Sequence, residues 1–418
     1  VTSLERTEAA LAAIRQHKEL NAFITVTEKT ALEEACRADR ELAKGQRRSA
    51  IHGLPISLKD LFYTRGVRTT AGSKILADFV PRRDSDAARR LRAAGAVILG
   101  KNNLHEWAYG VTSTNPHYGA VRNPHDVARI PGGSSGGSAV AVATGMGAAS
   151  IGTDTGGSIR IPASLCGVVG LKPTYGACSL DGVIQLSQTM DHTGPIADSV
   201  ATAAAVFEVM SGRKLKSFDG GVKGLRIGVP EKFFFERLQR EVESNVRGAI
   251  SHLADLGAKI VTLRIANASE ANEAGRTILL VEALKTHAKY RKRRLDYGDA
   301  VRVFLERGEQ ITAQELRAAQ KIRREFTRTF LRTWDRVDLL VTPTIPVTAP
   351  LIGQEKIGDE DTRACLTRFV RVFNITGVPA LSIPCGRDDR GLPIGLQIAG
   401  PKRGESTVLR AGLAIERQ

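Results

Sequence analysis

Aromatic residues make up only 5% of this 418-residue chain, and cysteine occurs five times. Cys36, Cys166, Cys178, Cys365 and Cys385 are scattered, odd in number and never spaced C-x-x-C. That argues against a disulfide framework or a zinc site, and points to reduced thiols in a cytoplasmic protein. No run of eighteen apolar residues occurs, so no transmembrane helix is expected. The opening Val1-Thr2-Ser3-Leu4-Glu5-Arg6 has no basic-then-apolar secretory pattern, and without a methionine it reads as a trimmed N-terminus. Internal repeats and low-complexity tracts are absent too.

What the chain does have in excess is positive charge, +16 net, on an ordinary globular background of 42% apolar and 25% charged residues. The basic residues fall in helical stretches such as Lys321-Ile322-Arg323-Arg324-Glu325 and Arg291-Lys292-Arg293-Arg294. Aromatics do not interleave with them and no nucleic-acid motif is present, so solvated helix faces are the expected reading and nucleic acid is not an expected partner.

Residues 4–44 read as two helices flanking a short strand at 22–26, and residues 54–59 as a buried strand. Asp84-Ser85-Asp86 caps a helix running to about Ala94, closed by Gly95 and followed by a core strand at 96–100. A small-residue helix is expected at 138–145, a strand and turn at 167–174, a linker or surface excursion at 211–224, and a strand again at 225–230. The later part is more helical. Thr312-Ala313-Gln314-Glu315 is a capping box opening a helix with Leu316, Ala319, Ile322, Phe326 and Phe330 on one face. Strands return at 337–341, 380–383 and 394–398. This alternation suggests an α/β protein with a largely parallel sheet. One domain over 1–418 is expected, with a catalytic core at about 50–200 and a more variable helical region at about 230–365.

Chemistry concentrates in two glycine-serine clusters, Pro131-Gly132-Gly133-Ser134-Ser135-Gly136-Gly137-Ser138 and Gly152-Thr153-Asp154-Thr155-Gly156-Gly157-Ser158-Ile159-Arg160. Taken singly, each element has an ordinary explanation. A Gly-Ser run is also what a flexible linker looks like, and a lone lysine at a strand end usually points to water. The combination reads differently. The N–H groups of Thr155, Gly156, Gly157 and Ser158 can converge on an oxyanion, and Lys59, on a buried strand, can be held neutral by desolvation to act as a base. Ser134 can relay a proton between them. The segment around Ser134 satisfies G-x-S-x-G, but its approach, Asn123-Pro124-His125-Asp126, is loop rather than the strand a nucleophile elbow needs. No lysine precedes Ser158, so the second cluster is no phosphate loop and ATP use is not indicated. His192, beside Asp191, reads as structural.

These residues closely resemble the amidase signature family. The resemblance runs from about Leu20 to the end. It is carried by both clusters through Pro173, by His52-Gly53-Leu54-Pro55-Ile56-Ser57-Leu58-Lys59-Asp60, and by Gly100-Lys101-Asn102-Asn103-Leu104-His105-Glu106-Trp107-Ala108. Asn374-Ile375-Thr376-Gly377-Val378-Pro379-Ala380 and Pro393-Ile394-Gly395-Leu396-Gln397 also fit, as do the intervals from Lys59 to Ser134 to Ser158. The resemblance implies Ser158 as acyl-accepting nucleophile, and Ser134, on a cis peptide, bridging it to Lys59. It further implies an oxyanion hole at Thr155, Gly156, Gly157 and Ser158, with Asp154 and Arg160 bracing the loop. It implies a single large mixed, mostly parallel twisted sheet sandwiched by helices, an amide substrate, no cofactor and no metal. A homodimer is compatible with it. The opening helix looks shortened against the family pattern.

Within the family, the glutamine-hydrolysing component of the tRNA-dependent amidotransferase usually has Gln where this chain has Ile161. It also has Ser-Leu-Asp-Gln in place of Thr189-Met190-Asp191-His192, and an acidic residue in place of Thr367. These differences favour a free-standing amidase; the alternative is the glutamine-hydrolysing amidotransferase component. Intact Lys59, Ser134 and Ser158 speak against a non-catalytic scaffold. The pocket is expected around 265–335 and 345–365; aryl, aliphatic and amino-acid amides and carbamates all remain open as substrates.

Overall fold

The computed structural model describes residues 1–417. Eleven strands join in one sheet. They are β1 (Phe23–Val26), β2 (Pro55–Lys59), β3 (Val97–Asn102), β4 (Ala149–Asp154), β5 (Val169–Lys172) and β6 (His192–Ala197). The rest are β7 (Arg226–Pro230), β8 (Lys259–Leu263), β9 (Leu339–Pro343), β10 (Ala380–Arg387) and β11 (Pro393–Ala399). Across the sheet they run β1-β3-β2-β4-β6-β5-β10-β11-β9-β7-β8.

The sheet is mixed. Parallel pairing is confined to two wings, β3-β2-β4 on one side and β9-β7-β8 on the other. The middle, from β4 through β6, β5, β10 and β11 to β9, is antiparallel throughout. Connection length accounts for one of these central pairings, β10 with β11. The β10–β11 link is a tight turn in which Gly391 N–H donates to Asp388 O at 2.8 Å, and so short a link joins only antiparallel neighbours.

Side chains alternate between two apolar layers, as a sheet covered on both faces requires. Leu339, Val341, Leu381 and Ile383 face one layer, with the helices Asp86–Ala93, Val200–Ser211, Arg240–Asp255 and Glu405–Glu416 packed on it. Leu340 and Ala380 face the other, beneath the helices Ala268–His287 and Ala313–Leu331. On the latter helix Thr312 forms the expected capping box with Glu315, while Ala319, Phe326 and Phe330 are buried and Leu316 and Ile322 partly so. Asp86–Ala93 is likewise capped by Ser85, whose hydroxyl accepts from Ala88 N–H. Among the described residues no helix is long and apolar enough to cross a membrane.

Candidate active site

The parallel register that sets Leu58 opposite Ile151 puts Lys59, the last residue of β2, alongside the end of β4. From there its ammonium donates to Thr153 Oγ1 at 2.8 Å. It also donates to Ser134 Oγ at 2.7 Å and Ser135 Oγ at 2.9 Å. Ser135 donates its own proton to Thr153 O at 3.2 Å, whereas Ser134 Oγ has no acceptor for its proton among the described residues. The Gly133–Ser134 peptide is cis, as the family resemblance implies.

Lys59 is fully buried, and burial pushes its pKa down to about 7 against the pull of Asp191 and Asp154. No carboxylate stands within ion-pair distance of it among the described residues. Lys101, equally buried, shows the contrasting structural case. It pairs with Asp60 at 3.0 Å and donates to Phe62 O and Thr69 Oγ1.

The loop bearing Ser134 runs into the helix Gly136–Ala143. Gly137 lets that helix close on the chain: its N–H donates to Asn103 O at 3.1 Å, and any Cβ there would collide with Asn103 O and Ala22 O. Ser135 N–H donates to Ser158 O at 3.3 Å, which joins the two clusters directly. Of the three residues Lys59, Ser134 and Ser158, only Ser158 retains exposure, 6%.

Ser158 lies on the turn between β4 and the short helix Arg160–Cys166. Asp154 organises that turn. Its carboxylate accepts from Gly157 N–H at 2.8 Å, Ile159 N–H at 3.1 Å, and Arg160 Nε and Nη2 at 3.0 and 2.8 Å. Burial alone would raise this carboxyl, but the Arg160 guanidinium and Asn374 hold it well below the usual range. Gly157 has φ +116°, and a Cβ there would collide with Val370. Four N–H groups are expected at the oxyanion site from the sequence, but that of Gly157 is engaged by Asp154. Those of Thr155, Gly156 and Ser158 have no acceptor among the described residues.

Several site residues carry no mark of their own in the sequence. Ser135 and Thr153 stand inside the two clusters, where adjacent serines and a Thr-Asp pair are the available signals. Asp191 accepts from Thr155 Oγ1 at 2.6 Å and Leu186 N–H at 2.7 Å; burial pushes its pKa up to about 6. Arg160 also donates to Asn374 Oδ1 and Gln397 Oε1, both at 2.7 Å, which explains the polar residues in the two C-terminal segments. His192 is buried with Nδ1 against Met190 O at 2.6 Å, next to Asp154 O rather than a serine hydroxyl.

An amidase family model matches residues 5–409. A glutamyl-tRNA(Gln) amidotransferase subunit of Koribacter versatilis is 38% identical over 437 aligned positions, covering 95% of this chain and 91% of that protein. A crystal structure described as an amidase superposes with TM-score 0.94 at 37% identity, covering 100% of this chain and 96% of that one. The corresponding glutamyl-tRNA(Gln) amidotransferase subunit from Thermotoga maritima superposes with TM-score 0.84 at 32% identity, over 100% and 94% of the two chains. The chain therefore belongs to the amidase signature family, whose enzymes hydrolyse carbon–nitrogen amide bonds.

Proposed function

We propose that this protein is a free-standing serine amidase that hydrolyses a small carboxylic amide to acid and amine or ammonia through an acyl-Ser158 intermediate. One observation carries the reading. A fully buried lysine without a carboxylate partner, its pKa near neutrality, stands 2.7 Å from a serine hydroxyl whose proton is uncommitted.

In this reading Ser158 Oγ attacks the substrate carbonyl while its proton passes through Ser134 to Lys59. The N–H groups of Thr155, Gly156 and Ser158 take the oxyanion, and the Gly157 N–H braces the loop through Asp154. Collapse of the tetrahedral intermediate breaks the C–N bond, with the proton held on Lys59 returned through Ser134 to the departing nitrogen. Water then attacks the acyl-serine by the same relay and regenerates Ser158. All five cysteines are free, which supports a cytoplasmic setting.

Free-standing action is supported by Ile161, which is buried in an apolar cluster with Val111, Leu165 and Val370, and by Thr367, where the amidotransferase branch usually carries an acid. A second reading, the glutamine-hydrolysing component of a tRNA-dependent amidotransferase, is favoured by curated relatives such as the Koribacter protein. Amine and ammonia release from an acetanilide, benzamide, an aliphatic amide, an aryl carbamate and glutamine, with wild type and Ser158→Ala, separates the two. Turnover of a non-glutamine amide that disappears in Ser158→Ala is the expected result. Turnover of glutamine alone would favour the amidotransferase reading, and full activity in Ser158→Ala would end the acyl-serine proposal.

A further inference from the structure

A cavity of about 380 Å³ opens beside the oxyanion loop. Leu279 and Phe304 line it together with four arginines, Arg276, Arg307, Arg363 and Arg371. Two carboxylates border the same space, against four guanidinium groups. Glu273 pairs with Arg276 at 3.0 Å, and Asp361 caps a helix by accepting from Ala364 N–H at 2.9 Å. The cavity is therefore strongly positive at its deep end.

Arg371 forms that deep end. It is 4% exposed, and its Nε lies 3.4 Å from where a Cβ on Gly156 would stand, so the guanidinium touches the loop that carries Ser158. Nη2 donates to Thr367 Oγ1 at 2.8 Å and Nη1 to Asn272 Oδ1 at 3.0 Å, both neutral acceptors. Its Nε is buried with no acceptor among the described residues, and so is Nη1 of the half-buried Arg363. Arg363 stacks 3.7 Å over the Phe304 ring and 5.3 Å from that of Tyr109, which fixes its plane. Burial, with Arg363 as the second cause, pulls the Arg371 pKa down to about 9.

Two guanidinium groups with no carboxylate in ion-pair contact among the described residues, one of them deep, are costly to keep unless the reaction uses them. Their planar, forked donors match a carboxylate, and each pairing would be charge-assisted. An ammonium in the same space would meet like charge from both. We infer that the substrate is an amide bearing a carboxylate a few bonds from the scissile carbonyl, with that carboxylate held by Arg371 and Arg363. The assignment rests on the reading of Ser158 as the nucleophile only for where the scissile bond lies.

The test is a calorimetric titration of Ser158→Ala protein with succinamate and, separately, with its uncharged counterpart succinamide. Succinamate should bind roughly ten-fold or more tightly than succinamide, and Arg363→Gln or Arg371→Gln should each erase most of that preference. Arg363 is only half-buried, so its variant keeps the test open should Arg371→Gln fail to fold. Equal affinities, no saturable succinamate binding, or a preference that survives both substitutions would overturn the inference. Turnover of succinamide by Ser158→Ala would refute the nucleophile assignment instead, and would leave the binding preference to stand or fall on its own.

Discussion

Replacing Lys59 by methionine keeps a side chain of similar length in the same buried slot and removes the amine that titrates there. An ordinary lysine, at 10.5, is neutral in only about one molecule in 3,000 at pH 7, whereas one at about 7 is neutral in about half. Burial thus leaves the amine half neutral near pH 7, as a base acting there would need. If Lys59 is the base, kcat/KM should rise about five-fold from pH 6 to 7 and under two-fold from pH 7 to 8. Asp191, raised to about 6, protonates at the foot of the same limb; losing its charge, which pulls the Lys59 pKa up, makes the limb shallower there. Lys59→Met should lower kcat/KM by about 10²–10⁴ and abolish the limb.

Stability should move in a matching way. The folded-state pKa is lower than the unfolded one, so the unfolded chain binds more protons between about 7 and 10.5. The burial penalty is then complete below the folded value and is relieved as pH rises through that window, by about 5 kcal/mol for this group. Lys59→Met carries no such dependence. Initial rates against pH for both proteins, with denaturation at pH 6 and pH 9, read all of this. A flat profile between pH 5.5 and 7.5, or an acid limb that persists unchanged in Lys59→Met, would refute the base assignment.

Asp154→Ala leaves the Arg160 guanidinium fully buried without its counter-ion, and should cost about 3–5 kcal/mol in a urea titration along with nearly all turnover. Because the folded pKa of Asp154 is depressed, its stabilisation is present above the ordinary value of 3.8 and fades as pH falls below it. Gly157→Ala forces a side chain into φ +116° against Val370; a loss of about 1–3 kcal/mol and of activity is expected, and wild-type kinetics would contradict the loop geometry. Thr312→Ala removes the hydroxyl that accepts from Glu315 N–H at 3.2 Å, and should lower stability by about 1 kcal/mol while kcat/KM stays at the wild-type value.

Lys59, Ser134 and Ser158, the proposed catalytic residues, stand out in the sequence because each sits in a local pattern with few other uses: a lysine ending an apolar strand, and two glycine-serine turns. The residues that hold the turn do not. Asn374 and Gln397 act on Arg160 from more than two hundred positions away, so no local window links them to it. Arg371 reads as one more basic residue in a basic chain until the fold lays it on Gly156. Among the strands, β4, β6 and β8 escaped notice; β6 did so because Gly194 and Pro195 interrupt it. Pro195 is tolerated since the pairing with β5 covers only Ile196 and Ala197. Helix–strand alternation predicted the parallel wings, but it carries no information about the antiparallel centre, which long-range pairing decides.

The Arg160 contacts bear on when this protein becomes active. Asn374 and Gln397 lie 214 and 237 residues beyond Arg160 in the chain, on segments made well after both glycine-serine clusters. β10 and β11 also join β5 to β9, so the two wings of the sheet meet only through strands made after residue 379. A nascent chain therefore exposes Lys59, Ser134 and Ser158 long before the parts that fix their geometry leave the ribosome. In the proposed reading, hydrolytic competence waits on synthesis through residue 397, and a fragment released before it carries Lys59, Ser134 and Ser158 without the contacts that hold Arg160.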